Sequence, residues 1–233
     1  MDDERNEGYS AVAAARRDGI AVGLIGAMVL AGLIALPHLP GSVPVHWNAA
    51  GHVNGWGSPL FAVLFPPALA LGLWLSLLLL PTVDPRRRHY AQFSGTYRLL
   101  RLLVVALIAV MDVVTLGHAL GSRVNVPAAA ALSISAMLLV LGNLLQRVRP
   151  TWFVGIRTPW TLSDDEVWRR THRLGGRLFM LAALTPPLGL LAGPSTLLRL
   201  TAAAVLVPAL AAVLYSYLLY SRLHRGMPSG PRP

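Results

Sequence analysis

The sequence predicts an all-α integral membrane protein. It has six transmembrane helices, both termini on the cytoplasmic side, and a short cytoplasmic amphipathic helix between the fourth and fifth spans. Three observations carry this. Of 233 residues, 55% are hydrophobic and 13% charged, against roughly 25% charged in a soluble domain. Six apolar runs reach or approach the ~20 residues that a helix needs to cross hydrocarbon. The basic residues are all arginine, and they fall in alternate loops, the bias that orients membrane helices.

In chain order, the tail 1–19 carries Arg5, Arg16 and Arg17. The first span is Ile20–Leu36. It is too long for the apolar core of a signal peptide, and "ALPHLP" lacks a small-x-small cleavage site, so it reads as an uncleaved anchor. Gly19-x-x-x-Gly23 at its start allows close helix contact. Loop 38–59 carries no arginine. The second span, Leu60–Leu80, is followed by a loop and edge with Arg86, Arg87, Arg88, Arg98 and Arg101. The third and fourth spans are Leu99–Leu120 and Val126–Gln146, with Arg123 alone between them. Arg147, Arg149, Arg157, Arg169, Arg170, Arg173 and Arg177 lie before the fifth run, Leu178–Gly193. Arg199 lies at the start of the sixth, Thr196–Leu219, and the tail holds Arg222, Arg225 and Arg232.

All arginines but Arg123 and Arg199 therefore fall on one side, which marks that side as cytoplasmic. The net charge of +10 is a topology signal and a contact with the lipid bilayer; no direct nucleic-acid partner is expected. With no cysteine, disulfides and thiolate-bound metals are excluded. Four regions follow: a cytoplasmic tail (1–19), an N-terminal membrane module (20–120), a second membrane domain (121–222) and a cytoplasmic tail (223–233).

The outer loop reads PHLPGSVPVHWNAAGHVNGWGSP over 37–59. Its prolines and glycines make it rich in turns, and Asn54-Gly55 is a hairpin-turn signal. Trp47 and Trp56 suit a membrane interface. His38, His46 and His52 have the chemistry of metal ligands, but no acidic residue accompanies them in the loop. They read as solvent-facing turn residues, and no metal or cofactor is expected. Pro44, His46, Trp47, Asn48, Gly51 and Gly55, with Trp56 and Gly57, fit a Pro-x-His-aromatic-Asn-x-x-Gly pattern closed by a Gly-aromatic-Gly turn. The loop thus resembles that of a small bacterial membrane domain of unknown function.

The densest polar stretch is FVGIRTPWTLSDDEVWRRTHRLGGR, residues 153–177. Ser163 and Glu166 have capping-box spacing, and Asp164 and Asp165 suit the positive end of a helix. Asp165 with Arg169, and Glu166 with Arg170, stand at i,i+4. Gly175-Gly176 supplies a stop, so a helix is expected over 164–174. Val167, Trp168, Thr171 and Leu174 form its apolar stripe, the pattern of a helix lying on the membrane surface. Before it, Pro159 keeps Thr158 out of helix, giving a turn that holds Arg157 and Trp160.

Gly155, Ile156, Arg157, Thr158, Pro159, Trp160, Thr161, Leu162, Val167, Trp168, Thr171, His172 and Gly176 closely resemble the motif of the SdpI family of bacterial membrane proteins, which often follows the small domain named above. The resemblance implies immunity against a secreted, membrane-active peptide toxin at the outer face. It also implies signal reception, with a cytoplasmic transcriptional repressor docked at the inner face. On that reading Arg157, Thr158, Pro159, Trp160, Glu166, Trp168, Arg169 and His172 form the docking surface, and Pro44, His46, Trp47, Asn48, Gly51 and Gly55 the outer sensing loop.

Asp112 is a carboxylate inside a span, where a charge is costly. It is either a proton or ligand site, or interhelical hydrogen-bond glue with Ser133, Ser135 or Asn143. Pro66-Pro67 and Pro186-Pro187 each interrupt an apolar run, as the broken helices of an inverted-repeat carrier do. The alternative function is therefore a small proton-coupled transporter or ligand-binding protein using Asp112. No nucleophile–base pair is present, since Glu166 and His172 lie on different helix faces, and no enzymatic activity is expected.

Overall fold

The structure is a computed structural model and describes residues 9–48 and 51–225. Arg5 and Arg232, with most of the C-terminal tail, lie outside the described residues. Among the described residues, five helices are long and apolar enough to span a bilayer, as in a multi-pass membrane protein. They are α2 (Gly19–Ala35), α3 (Pro59–Val83), α5 (Ser94–Ala119), α6 (Val126–Leu145) and α10 (Pro194–Leu223). Shorter helices are α1 (Ala11–Arg17), α4 (His89–Gln92) and α7 (Pro159–Ser163). The remaining two are α8 (Asp165–Ala182) and α9 (Thr185–Gly189). The local starts follow from capping. Ser58 accepts from the amide of Phe61 ahead of Pro59, and Asn125 accepts from that of Ala128 ahead of Pro127. A proline in the first turn loses nothing there, because that amide has no helical partner.

The first three long helices share a core of Ala21, Ile25, Met28, Ala70, Trp74, Leu78, Val105 and Ala109. Inside this group lies an ion pair. Asp18, between α1 and α2, is buried against Arg101 of α5, with Nε to Oδ2 at 2.7 Å and Nη2 to Oδ1 at 3.1 Å. Trp74 Nε1 donates to Oδ2 at 2.9 Å. Arg101, expected as a charge at a loop edge, is therefore buried and paired. Two of Asp18's neighbours supply the donors that a buried carboxylate requires.

The second group packs α8 between α6 and α10. Its closest approach is at Gly142 and Gly176: a Cβ on Gly176 would come within 2.4 Å of the Gly142 carbonyl oxygen, and one on Gly142 within 2.5 Å of the Gly176 oxygen. This overturns two expectations. Gly175-Gly176 does not stop the helix, because its missing side chains admit α6 while the backbone stays helical to Ala182. Nor is its apolar stripe free to rest on a membrane surface. Val167, Trp168, Thr171, His172, Gly175 and Gly176 are buried in protein, and the arginines face outward.

The fifth apolar run is not a helix of its own. Leu178–Ala182 is the end of α8, a turn follows, and α9 begins at Thr185. Five long helices stand where six membrane helices were expected, and the fifth expected span is divided between α8 and α9. Pro186 and Pro187 have no amide hydrogen, which deprives the carbonyls of Ala182 and Ala183 of helical donors. Thr185 Oγ1 donates to Ala182 at 2.9 Å, and the Ser135 hydroxyl to Ala183. Side chains re-satisfying a proline break is what a membrane interior demands. Pro66-Pro67 differs, because α3 runs unbroken through both. The two proline pairs are not matching breaks. Gly19 and Gly23 have no atom within 4 Å of where a Cβ would sit, so the close contact expected there is not made within the chain.

One feature is not helical. Strands β1 (Val43–Trp47) and β2 (Val53–Gly57) form an antiparallel hairpin. Asn54-Gly55 is not its turn, as expected, but lies inside β2. The chain turns between Asn48 and His52, where Asn48 and His52 pair through their backbones at 2.8 Å.

Candidate functional site

The arginine-rich end of the bundle is organised by a buried carboxylate. Asp84 Oδ1 accepts from the amide of Arg86 at 2.7 Å. Its Oδ2 accepts from Tyr90 Oη at 2.9 Å and from the amide of Trp152 at 3.0 Å. Asp84 therefore clips the loop after α3 to the segment after α6. His89 Nδ1 meets the Pro150 carbonyl at 2.6 Å, and Arg86 Nη2 donates to that of Leu162 at 2.8 Å. Burial and the bond to Asp84 push the Tyr90 phenol above its ordinary range. Tyr90 packs with Phe93, Tyr97, Val148, Val154 and Trp168 in one cluster.

The segment 153–177 folds over this cluster. Trp168 is fully buried, donates from Nε1 to the Val148 carbonyl at 3.0 Å, and stacks on His172 with ring centroids 4.0 Å apart. The Ile156 amide donates to His172 Nε2 at 2.9 Å. Nδ1 therefore carries the proton and donates to the Trp168 carbonyl, also at 2.9 Å. Burial lowers the His172 pKa to about 4, so the ring is neutral at physiological pH. Gly155 explains why this loop needs glycine. Its φ is +116°, and a Cβ would stand 2.4 Å from His172 Nε2 and 2.9 Å from the Trp168 ring.

Thr158 caps α7 in a capping box with Thr161 and shares a hydrogen bond with Ser216 of α10 at 3.1 Å. Ser163 is not the cap of the next helix, as expected. It is the last residue of α7, and Asp164 caps α8 by accepting from the amides of Glu166 and Val167 at 2.7 and 3.0 Å. Glu166 binds both Arg170, at 2.5 Å, and Arg169, and these bonds hold its carboxyl below the ordinary range. Asp165 pairs not with Arg169 but with Arg86, at 3.9 Å.

The expected docking residues thus divide. Thr158, Trp168 and His172 are buried supports with no free face. Arg157 and Arg169 are exposed, as is Pro159; Glu166 and Trp160 are half-buried. Arg157 donates to the Trp152 carbonyl at 2.7 Å, and Trp160 rests against Tyr217 with centroids 5.1 Å apart. Arg170, Arg173 and Arg177, absent from the expected set, complete an exposed row along α8.

At the opposite end, Pro44 pairs with Trp56 across the hairpin, and His46 with Gly55, where a Cβ would strike the His46 Cβ at 2.7 Å. His46 Nδ1 lies 2.5 Å from Asn54 Oδ1. Asn48 Oδ1 accepts from the His52 amide at 3.0 Å, and Gly51 has φ +82° in the turn. Trp47 packs edge-on against His118, centroids 5.7 Å apart. Trp56 is exposed.

Asp112 lies on the hairpin side of the bundle, in a cavity that Val43, Pro44 and Val45 help to wall. It is buried in α5 and faces a cavity of about 460 Å³ between α3, α5 and β1. Two of the three glue partners expected for it are engaged elsewhere: Ser135 at the Ala183 carbonyl, and Asn143 by Arg147 at 3.3 Å.

Residues 147–221 match the SdpI/YfhL protein family, and residues 23–71 match the Domain of unknown function (DUF1648). The chain is 25% identical over 152 residues to the Immunity protein SdpI of Bacillus subtilis (strain 168), covering 65% of this chain and 70% of that protein. No solved structure matches it. The first match takes in the folded segment, α8, α9 and most of α10; the second takes in the hairpin with most of α2 and the first half of α3. The chain therefore carries an SdpI/YfhL family domain behind an N-terminal DUF1648 domain.

Proposed function

We propose that this is an immunity protein of the bacterial plasma membrane, which protects its cell against a secreted, membrane-active peptide. The observation that carries the reading is the match of residues 147–221 to the SdpI/YfhL family, together with a relative named as an immunity protein. The chain crosses the membrane six times, the fifth time through the end of α8 and α9. Both termini and the arginine-rich end face the cytoplasm, in line with the arginine bias. The hairpin, with exposed Trp56, is the outer face that meets the peptide.

The inner face docks a cytoplasmic repressor on the exposed part of the folded segment. Arg157, Arg169, Arg170 and Arg173 make the contact, while Thr158, Trp168 and His172 fix the backbone beneath. A row of guanidinium groups suits an acidic partner surface. Deletion in the native host, followed by challenge with the peptide fraction that the host secretes, tests the reading. Restored resistance on complementation is expected; a deletion strain as resistant as its parent would sink it. Complementation by Arg169→Ala/Arg173→Ala separates the roles, keeping resistance and losing repressor recruitment to membranes.

The carrier alternative is favoured only by the cavity at Asp112, since α3 is not broken at its prolines.

A further inference from the structure

We propose that the cavity between α3, α5 and β1 is a binding site for a lipophilic ammonium ion: a primary amine, protonated, on an apolar body. The inference does not depend on the immunity reading. The cavity holds about 460 Å³, within the range of small-molecule sites. Its walls are apolar, with Val43 of β1, Phe61 and Phe65 of α3, and Leu107 and Met111 of α5 among them. Into this surface α5 sets one carboxyl. Asp112 is 3% exposed, and its Oδ1 is buried with no hydrogen-bond partner.

The neighbouring hydroxyl does not serve it. Thr115 Oγ1 donates to the backbone carbonyls of Met111 and Asp112, at 2.9 and 3.0 Å. Among the described residues, no arginine or histidine lines the cavity. A buried carboxyl oxygen without a donor is costly, and a ligand that brings N–H groups and positive charge relieves that cost. A second acceptor belongs to the same lining. Pro66 has no amide hydrogen, so the Ala62 carbonyl lacks its usual helical donor, and both residues line the cavity. A primary ammonium has three donors, enough for both acceptors.

The route of entry sets the rest of the ligand. Phe61, Phe65 and Leu69 form one wall and are also 46%, 49% and 40% exposed, on a helix long enough to span the bilayer. That wall opens to hydrocarbon, so the ligand arrives from the lipid phase. Two sources share this chemistry: a free long-chain amine, and the headgroup amine of a phospholipid.

The test uses the full chain in phosphatidylcholine nanodiscs and measures decylammonium binding by calorimetry against bare discs, with decanol as the neutral control. Saturable one-site binding is expected for decylammonium and not for decanol. Asp112→Asn, which keeps the side-chain shape, weakens binding roughly tenfold or more. Leu107→Trp fills volume and leaves the carboxyl; it also weakens binding, which guards against misfolding of the Asn variant. Discs containing phosphatidylethanolamine compete if a lipid amine is the occupant and leave the isotherm unchanged if a free amine is. Absence of saturable binding by the wild type, equal binding by Asp112→Asn, or equal binding of decanol would overturn the proposal.

Discussion

His172 supplies the most stringent prediction about the folded segment. The neutral ring accepts at Nε2 from the Ile156 amide and donates at Nδ1 to the Trp168 carbonyl. Protonation puts a hydrogen on Nε2, directly against the Ile156 N–H, and places a charge on a buried ring stacked on Trp168. Burial of the ring depresses the folded-state pKa from 6.5 to about 4. In the unfolded chain the ring takes its proton near pH 6.5. The stability linked to His172 is thus complete above that pH and is lost as pH falls through about 4. The gap corresponds to roughly 3 kcal/mol at the acid limit. The assay is denaturant unfolding of the full chain in detergent from pH 7.5 to 4, beside His172→Gln. Carboxylates titrate in both proteins, so the difference between the curves isolates the imidazole. The wild type loses stability faster than the variant between pH 6.5 and 4. Parallel curves would refute the assignment of His172 as a neutral interior support.

Other predictions follow from the same geometry. Gly155→Ala costs about 3 kcal/mol, combining a left-handed backbone with overlap on His172 and Trp168. Gly121→Ala, at φ +94° with nothing within 4 Å, costs about 1 kcal/mol, and similar melting temperatures for the two would show that the overlap does not matter. Asp84→Asn presents an amide to donors and costs about 2 kcal/mol; limited proteolysis should then cut within 147–157, and an unchanged digestion pattern would count against Asp84 as the clip. Arg101→Met strands the Asp18 carboxylate and costs about 3–5 kcal/mol. Asp18→Ala/Arg101→Met recovers much of that loss in unfolding titrations, whereas additive losses would deny the pairing.

The apolar runs were readable because hydrophobic length is a local property. So was the Glu166–Arg170 pair, set by helical spacing alone. What the sequence hid depends on neighbours in space. Gly175-Gly176 has the composition of a stop, and only the approach of α6 at Gly142 turns it into a helix crossing. Asn54-Gly55 has the chemistry of a turn, yet Gly55 is needed opposite His46. The division of the motif into supports and exposed residues also lay beyond the pattern, since Trp168 and Arg169 are adjacent in sequence and point to opposite environments. Two further signals lie in the sequence itself. Asp18 and Arg101 are opposite charges at the edges of apolar runs, where a charge calls for a partner. Asp84, directly after a span and beside Pro85, has the residue type that binds the amides of its own turn.

Because the chain has no cysteine, single-cysteine labelling tests the central claim most directly: the segment 153–177 is folded inward on its motif residues and presents its arginines to the cytoplasm. Arg173→Cys and Thr171→Cys are labelled with a membrane-impermeant maleimide in intact and in opened cells. Labelling of Arg173→Cys only after opening, with Thr171→Cys protected in both, is the predicted result. Labelling of Arg173→Cys in intact cells, or equal labelling of the two positions, would contradict the account.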